Sequence, residues 1–150
     1  MNSQNNILVT GTSTGIGLAT AIALANSGCH VFAGVRKESD FKQLNHKNIT
    51  PIILDVTSAE SRKSALELIG NQVGNNGLHA LVNNAGINYV APLELMDEAK
   101  LRAMMDINVF GLVAMSKEVL PLLFQGRKQS GLRTKIINIS SIGGAIGLPW

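Results

Sequence analysis

Short apolar runs separated by stretches of helical periodicity set the pattern of this chain. Ile7-Leu8-Val9 ends in Thr10-Gly11, and residues 17–25 are rich in helix formers up to Ser27-Gly28, which predicts strand, tight turn, helix and stop. Residues 30–33 read as a second strand and 49–54 as a third, with a polar, weakly helical connection between them. Thr57-Ser58-Ala59-Glu60 has the spacing of a capping box, and Ala65, Leu66, Leu68, Ile69 and Val73 follow at helical positions, so a helix of about four turns is expected before the 74–77 turn. Residues 78–82 form a fourth strand that enters Asn83-Asn84-Ala85-Gly86, followed by a loop to Met96. From Asp97 to Gln125 apolar residues recur at helical spacing, predicting one long helix or two stacked ones, with Pro121 kinking the last turns or unravelling them. Residues 135–140 are the fifth strand, and Gly143, Gly144 and Gly147 keep the tail loop-like.

Strands that alternate with helices pair in parallel through right-handed crossovers, so the expected architecture is α/β with a doubly wound parallel sheet. Such sheets bind ligands beyond the carboxyl ends of their strands, where the strand order reverses. The 150 residues suffice for one domain, and a content of 45% hydrophobic and 15% charged residues excludes a disordered chain. A formal net charge of +3, with Arg127, Lys128, Arg133 and Lys135 interrupted by polar residues, reads as a solvated surface; with aromatic residues at 4%, nucleic acid is not an expected partner. The lone Cys29, beside Gly28 and an apolar run, is expected to be a buried thiol in a reducing compartment. The first six residues lack a signal-peptide pattern, and no apolar run approaches the roughly 18 residues of a membrane span, so a cytoplasmic protein is expected.

The turn Thr10-Gly11-Thr12-Ser13-Thr14-Gly15-Ile16-Gly17 carries the first chemistry. Between a strand and a helix, glycines allow tight backbone, and free amides together with the helix dipole favour an anionic phosphate. The spacing is GxxxGxG, unlike the GxGxxG fingerprint, and no Lys-Ser or Lys-Thr follows the last glycine as in a P-loop. Kinase and GTPase chemistry are therefore unsupported, and no metal site is read.

With Asn83-Asn84-Ala85-Gly86 after the fourth strand, Asn108 in Asp106-Ile107-Asn108-Val109-Phe110-Gly111, and Asn138-Ile139-Ser140-Ser141 after the fifth, the chain resembles the short-chain dehydrogenase/reductase family from Ile7 to Trp150. The resemblance implies one NAD(P)-binding Rossmann domain over residues 1–150, with the C-terminal part of the fold missing. It implies that Thr10, Gly11, Thr12, Ser13, Gly15, Ile16 and Gly17 hold pyrophosphate and ribose. Asp55 and the backbone of Val56 would meet the adenine, and Asn83, Ala85 and Gly86 would lie along the nicotinamide. Ser141 would be the catalytic serine that holds the substrate oxygen, and Asn108 would order a water in the proton relay. At the end of the second strand, NAD-preferring relatives place an acidic residue; here Val35 stands there and Arg36 follows, so NADP is expected over NAD, although Thr14 stands where many NADP-binding relatives carry a basic residue.

The family's Tyr and Lys four residues apart are absent: Tyr89 is the only tyrosine, and position 93 is Leu. By the family's spacing the tyrosine would fall a few residues beyond Trp150, so the 150 residues are expected to be an inactive part of an enzyme. Residues 92–94 and 141–149 look like the hydroxysteroid and retinol dehydrogenase branch, which implies a hydrophobic secondary alcohol or ketone, a small-molecule partner, no membrane, and a homo-oligomer at full length. Trp150 is equally a pocket-lining or a core residue. A non-catalytic dinucleotide-binding module or pseudoenzyme remains the alternative, and a nucleotide-sugar epimerase is disfavoured by residues 83–86.

Overall fold

The computed structural model describes residues 4–144 and 146. Five strands, β1 (Asn6–Thr10), β2 (His30–Val35), β3 (Ile49–Ile53), β4 (Ala80–Asn83) and β5 (Lys135–Asn138), form one parallel sheet in the order β3-β2-β1-β4-β5. Alternate side chains point to opposite faces, so each strand feeds two cores. Ile7, Val9, Val31, Ala33 and Val35 pack with Ala21 and Ala25 of α1 (Gly15–Asn26). Leu8, Phe32 and Leu81 face the other way, against Ile69 of α2 (Ala59–Val73), Met115 of α4 (Leu112–Glu118) and Leu123 of α5 (Leu120–Ser130). Helices on both faces make the sheet doubly wound, as expected, and β5 stands at its edge with all four residues exposed.

Several local expectations shift. The N-cap of α2 is Ser58, whose hydroxyl accepts from the Ser61 amide, while Thr57 bonds to Asp55 instead. The 97–125 stretch breaks into α3 (Glu98–Met105), a π-helical turn (Asp106–Gly111), α4 and α5, with a bend of 45° before α5. The bend lies beside Pro121, as the kink reading expects, and the helix does not unravel after it: Pro121 sits in the first turn of α5, where a residue without an N–H is suited. The Cys29 thiol is half-buried, 3.8 Å from the Ser27 hydroxyl, because it follows the exposed end of α1. Trp150, assigned above to a pocket or a core, lies outside the described residues.

At the amino ends of the strands, His79 Nδ1 accepts from the Asn6 amide at 3.1 Å and His30 Nε2 lies 3.0 Å from the Thr50 hydroxyl. Burial holds both imidazoles below their usual pKa. The unfolded chain therefore takes up protons first, so the stability contributed by the neutral rings is present above about pH 6.5 and is lost as pH falls below it. We expect the melting temperature to drop between pH 7.5 and 5, and the drop to be smaller in His30→Gln/His79→Gln; equal drops would show that these rings do not carry the effect.

Candidate active site

The strand order reverses between β1 and β4, which opens a crevice beyond their carboxyl ends. A cleft of about 380 Å³ occupies it, bounded by the turn after β1, the end of β2, the turn after β3 and the loop after β4. Gly11, Ser13, Ile16, Gly17, Arg36, Asp55, Val56, Ala85 and Gly86 all line it, which brings together nine of the residues singled out in the sequence.

The turn after β1 is shaped by close backbone approach. Gly11 has φ +68°, and a Cβ there would lie 2.7 Å from Ala85 Cα. A Cβ on Gly17 would collide with the Gly11 carbonyl and the Asn84 amide nitrogen. Gly15 also has positive φ, +60°, but faces open space. Thr14 caps α1 without a side-chain hydrogen bond, and the first turn of that helix holds no acidic residue. The first amides of the 12-residue α1 therefore lack side-chain partners, and the positive end of its dipole meets the cleft.

Three of the expected contact residues are buried ties instead. The Thr10 hydroxyl accepts from the amides of Asn84 and Ala85 at 3.0 and 2.9 Å, joining β1 to the loop after β4. Thr12 donates its hydroxyl and its amide to the Gly34 carbonyl, joining the turn to β2. The Asn83 carboxamide donates to Ser116 and to Asn138, joining β4 to α4 and β5. Thr10, Thr12 and Asn83 do not line the cleft, and neither does Gly15.

Asn84, passed over in the sequence, is the clamp: its side-chain Nδ2 donates to the carbonyls of Thr10 and Gly11 at 3.0 and 2.9 Å. Gly34, Leu54, Ile87 and Ile107 also line the cleft without having been singled out. The only local signal for Asn84 was its place beside Asn83 in the 83–86 motif.

Asp55 accepts from both the amide and the hydroxyl of Thr57. Burial pushes its carboxyl up, but these hydrogen bonds and the charges of Arg36 and Arg62 outweigh burial and hold it below the usual carboxylate range. Asp55 is therefore an anion at neutral pH.

Asn108 sits in the π-helical turn, and both ends of its carboxamide are committed to Ile87: Nδ2 donates to the Ile87 carbonyl at 2.8 Å and Oδ1 accepts the Ile87 amide at 2.9 Å. The Asn108 side chain thus holds the cleft wall at Ile87. Ser141 lies on the exposed loop after β5, where its hydroxyl accepts from the Gly143 amide at 3.1 Å; it does not line the cleft.

Sheet order, two-sided helices and a glycine-walled cleft at the reversal define a Rossmann-type α/β domain. The chain belongs to the short-chain dehydrogenase family, whose model matches residues 5–150. It is 40% identical over 144 residues to 3-ketodihydrosphingosine reductase of Bacteroides thetaiotaomicron, covering 96% of this chain and 49% of that protein. It is 33% identical to retinol dehydrogenase 16 of Rattus norvegicus, covering 93% of this chain and 44% of that one. The crystal structure of a short-chain dehydrogenase from Streptomyces avermitilis superposes with a TM-score of 0.84 at 31% identity, covering 98% of this chain and 52% of that one. The chain thus spans about half the length of the relatives it matches.

Proposed function

We propose that this chain binds NADP through the cleft after β1, as part of an enzyme that transfers hydride between the nicotinamide and a hydrophobic carbonyl or secondary alcohol. The observation that carries the reading is the cradle itself. Gly11 and Gly17 let the turn after β1, the loop after β4 and the start of α1 close on one another where a Cβ would clash, and the uncapped start of α1 offers amides there. A pyrophosphate fits that cradle by charge and by shape. Asp55 and Val56 line the far end of the cleft for the adenine, and Ala85, Gly86 and Ile87 line the end for the nicotinamide.

When bound, the cofactor supplies the hydride chemistry, and the chain supplies position and charge. Asn108 holds the Ile87 backbone along the nicotinamide end. Ser141, next to the carboxyl end of β5, supplies a hydroxyl to a substrate oxygen. An apolar substrate suits this end of the sheet, because Val90, Leu93, Leu95 and Ile142 are 60%, 84%, 70% and 70% exposed on the loops after β4 and β5. Two relatives whose names specify a ketosphingoid and a retinol support the same class of substrate.

Arg36 lines the cleft beside Gly34 and Val35, where a guanidinium pairs with a ribose 2′-phosphate. Titration of the whole protein with NADPH and NADH is expected to show tighter NADPH binding, and Arg36→Asp is expected to reverse the preference. An unchanged preference in the variant would remove Arg36 from the reading.

A further inference from the structure

Arg62, in the first turn of α2, is the one buried cation among the described residues, 8% exposed, and the cofactor reading above gives it no contact with the nucleotide. Its Nε and Nη2 donate to the two oxygens of Glu118, at the end of α4, at 3.0 and 2.9 Å. Its Nη1 donates to the Val56 carbonyl at 2.7 Å. The fork therefore joins α2, α4 and the turn after β3 through a single side chain.

A buried ion pair by itself is weak ground for stability, since desolvation offsets much of the attraction and apolar replacements are often as stable. The third donor gives this pair a different purpose. Val56 lines the cleft beside Asp55, and its carbonyl accepts from the guanidinium. From the other side the turn meets Gly111, where a Cβ would lie 2.8 Å from Val56 Cγ2 and 3.1 Å from the Val56 carbonyl. The Asp55 amide is held as well, donating to Ser61 of α2 at 2.9 Å. The charge of Arg62 also helps to keep Asp55 ionised.

We propose that Arg62 and Glu118 are positioning residues for the nucleotide: the Glu118-oriented guanidinium holds the Val56 carbonyl, and so sets the turn against which the adenine rests. This rests on the dinucleotide reading of the cleft. Glu118 fixes the plane of the fork, and the three bonds leave from three different nitrogens of one rigid plane, an arrangement that the three donors of lysine, all on a single nitrogen, do not reproduce.

The test uses Arg62→Met/Glu118→Met, which leaves no unpaired buried charge, with Arg62→Lys as partial rescue. Melting temperature, the Kd of ADP, and hydrogen exchange of the amides of residues 54–58 against those of residues 11–17 are measured on the whole protein. The expected result is a melting temperature close to wild type, faster exchange at 54–58 only, and an ADP Kd raised about tenfold, the loss of one hydrogen bond from a charged donor. Arg62→Lys should fall between the two. Unchanged exchange at 54–58 with an unchanged Kd in a folded double variant overturns the proposal, as does faster exchange spread over the whole chain. If the wild type itself binds no ADP, the dinucleotide reading is what fails, and the exchange at 54–58 still decides whether Arg62 holds the turn.

Discussion

Gly17→Ala is expected to weaken dinucleotide binding by roughly a hundredfold. The added methyl is aimed at the Gly11 carbonyl, a backbone group that cannot swing aside, and at the side-chain Nδ2 of Asn84, which is hydrogen-bonded to that carbonyl. Relief requires α1 to move away from the turn after β1, which pulls its first amides off the phosphate position and breaks the Asn84 clamp. Overpacking of this kind typically costs about 3 kcal/mol at the upper end, which is roughly a hundredfold in Kd. Gly15→Asn supplies the contrast. Its φ of +60° suits asparagine better than other side chains, and a Cβ there meets nothing within 4 Å. Binding by Gly15→Asn should remain within about tenfold of wild type. Calorimetric titration with NADPH, alongside melting curves, checks both; a Gly17→Ala protein that binds as wild type would remove the cradle as the phosphate site.

Gly126→Ala should produce the largest loss of stability. In α5 this glycine is buried, and its Cβ would run into the Leu78 carbonyl at the entry to β4. Gly77, with φ +59°, meets the same helix from the other side, and the Leu78 amide donates to the Leu122 carbonyl at 2.9 Å. Helix and strand entry are therefore in backbone contact, with no flexible side chain to yield. A loss of about 3 kcal/mol, corresponding to roughly 6–12 °C in melting temperature for a chain of this size, is expected. The same change at Gly70 of α2 is expected to be neutral or stabilising, because its Cβ would make an ordinary 3.6 Å contact with Leu122 and alanine is the better helix former. Thermal melts of the two variants, side by side, check the sign of each.

Much of the fold was legible because its elements are short and strongly periodic. The apolar runs at 7–9 and 30–33 lie in β1 and β2, the run at 78–82 overlaps β4 over 80–82, and the glycine turn falls at a strand end. Helix ends were less legible, because neighbouring groups compete for the same hydroxyl. Asp55 takes Thr57, and the cap of α2 passes to Ser58. The π-helical turn left no trace in the periodicity of residues 97–125. It depends on Gly111 packing against Val56, more than fifty positions earlier in the chain.

The site was legible as a set of motifs but not as a division of labour. Thr10, Thr12 and Asn83 belong to the same motifs as the cleft-lining glycines, yet they are turned inward. Asn84 faces the turn because β1 and β4 pair with Val9 opposite Val82, which brings residue 84 beside the carbonyls of Thr10 and Gly11. Arg62 carried no motif at all, since its partners at positions 56 and 118 meet only across two helices.

By itself, the sequence determined the alternation of strands and helices, the glycine turn, and the family to which these residues belong. Those features are local: they depend on side-chain period, on backbone freedom at glycine, and on the order of motifs along one chain. The tertiary structure alone decided which of two adjacent asparagines clamps the turn, that Asn108 holds Ile87, and that Arg62 meets Glu118. Each of these depends on distances between residues far apart in sequence, and strand order and helix packing set those distances.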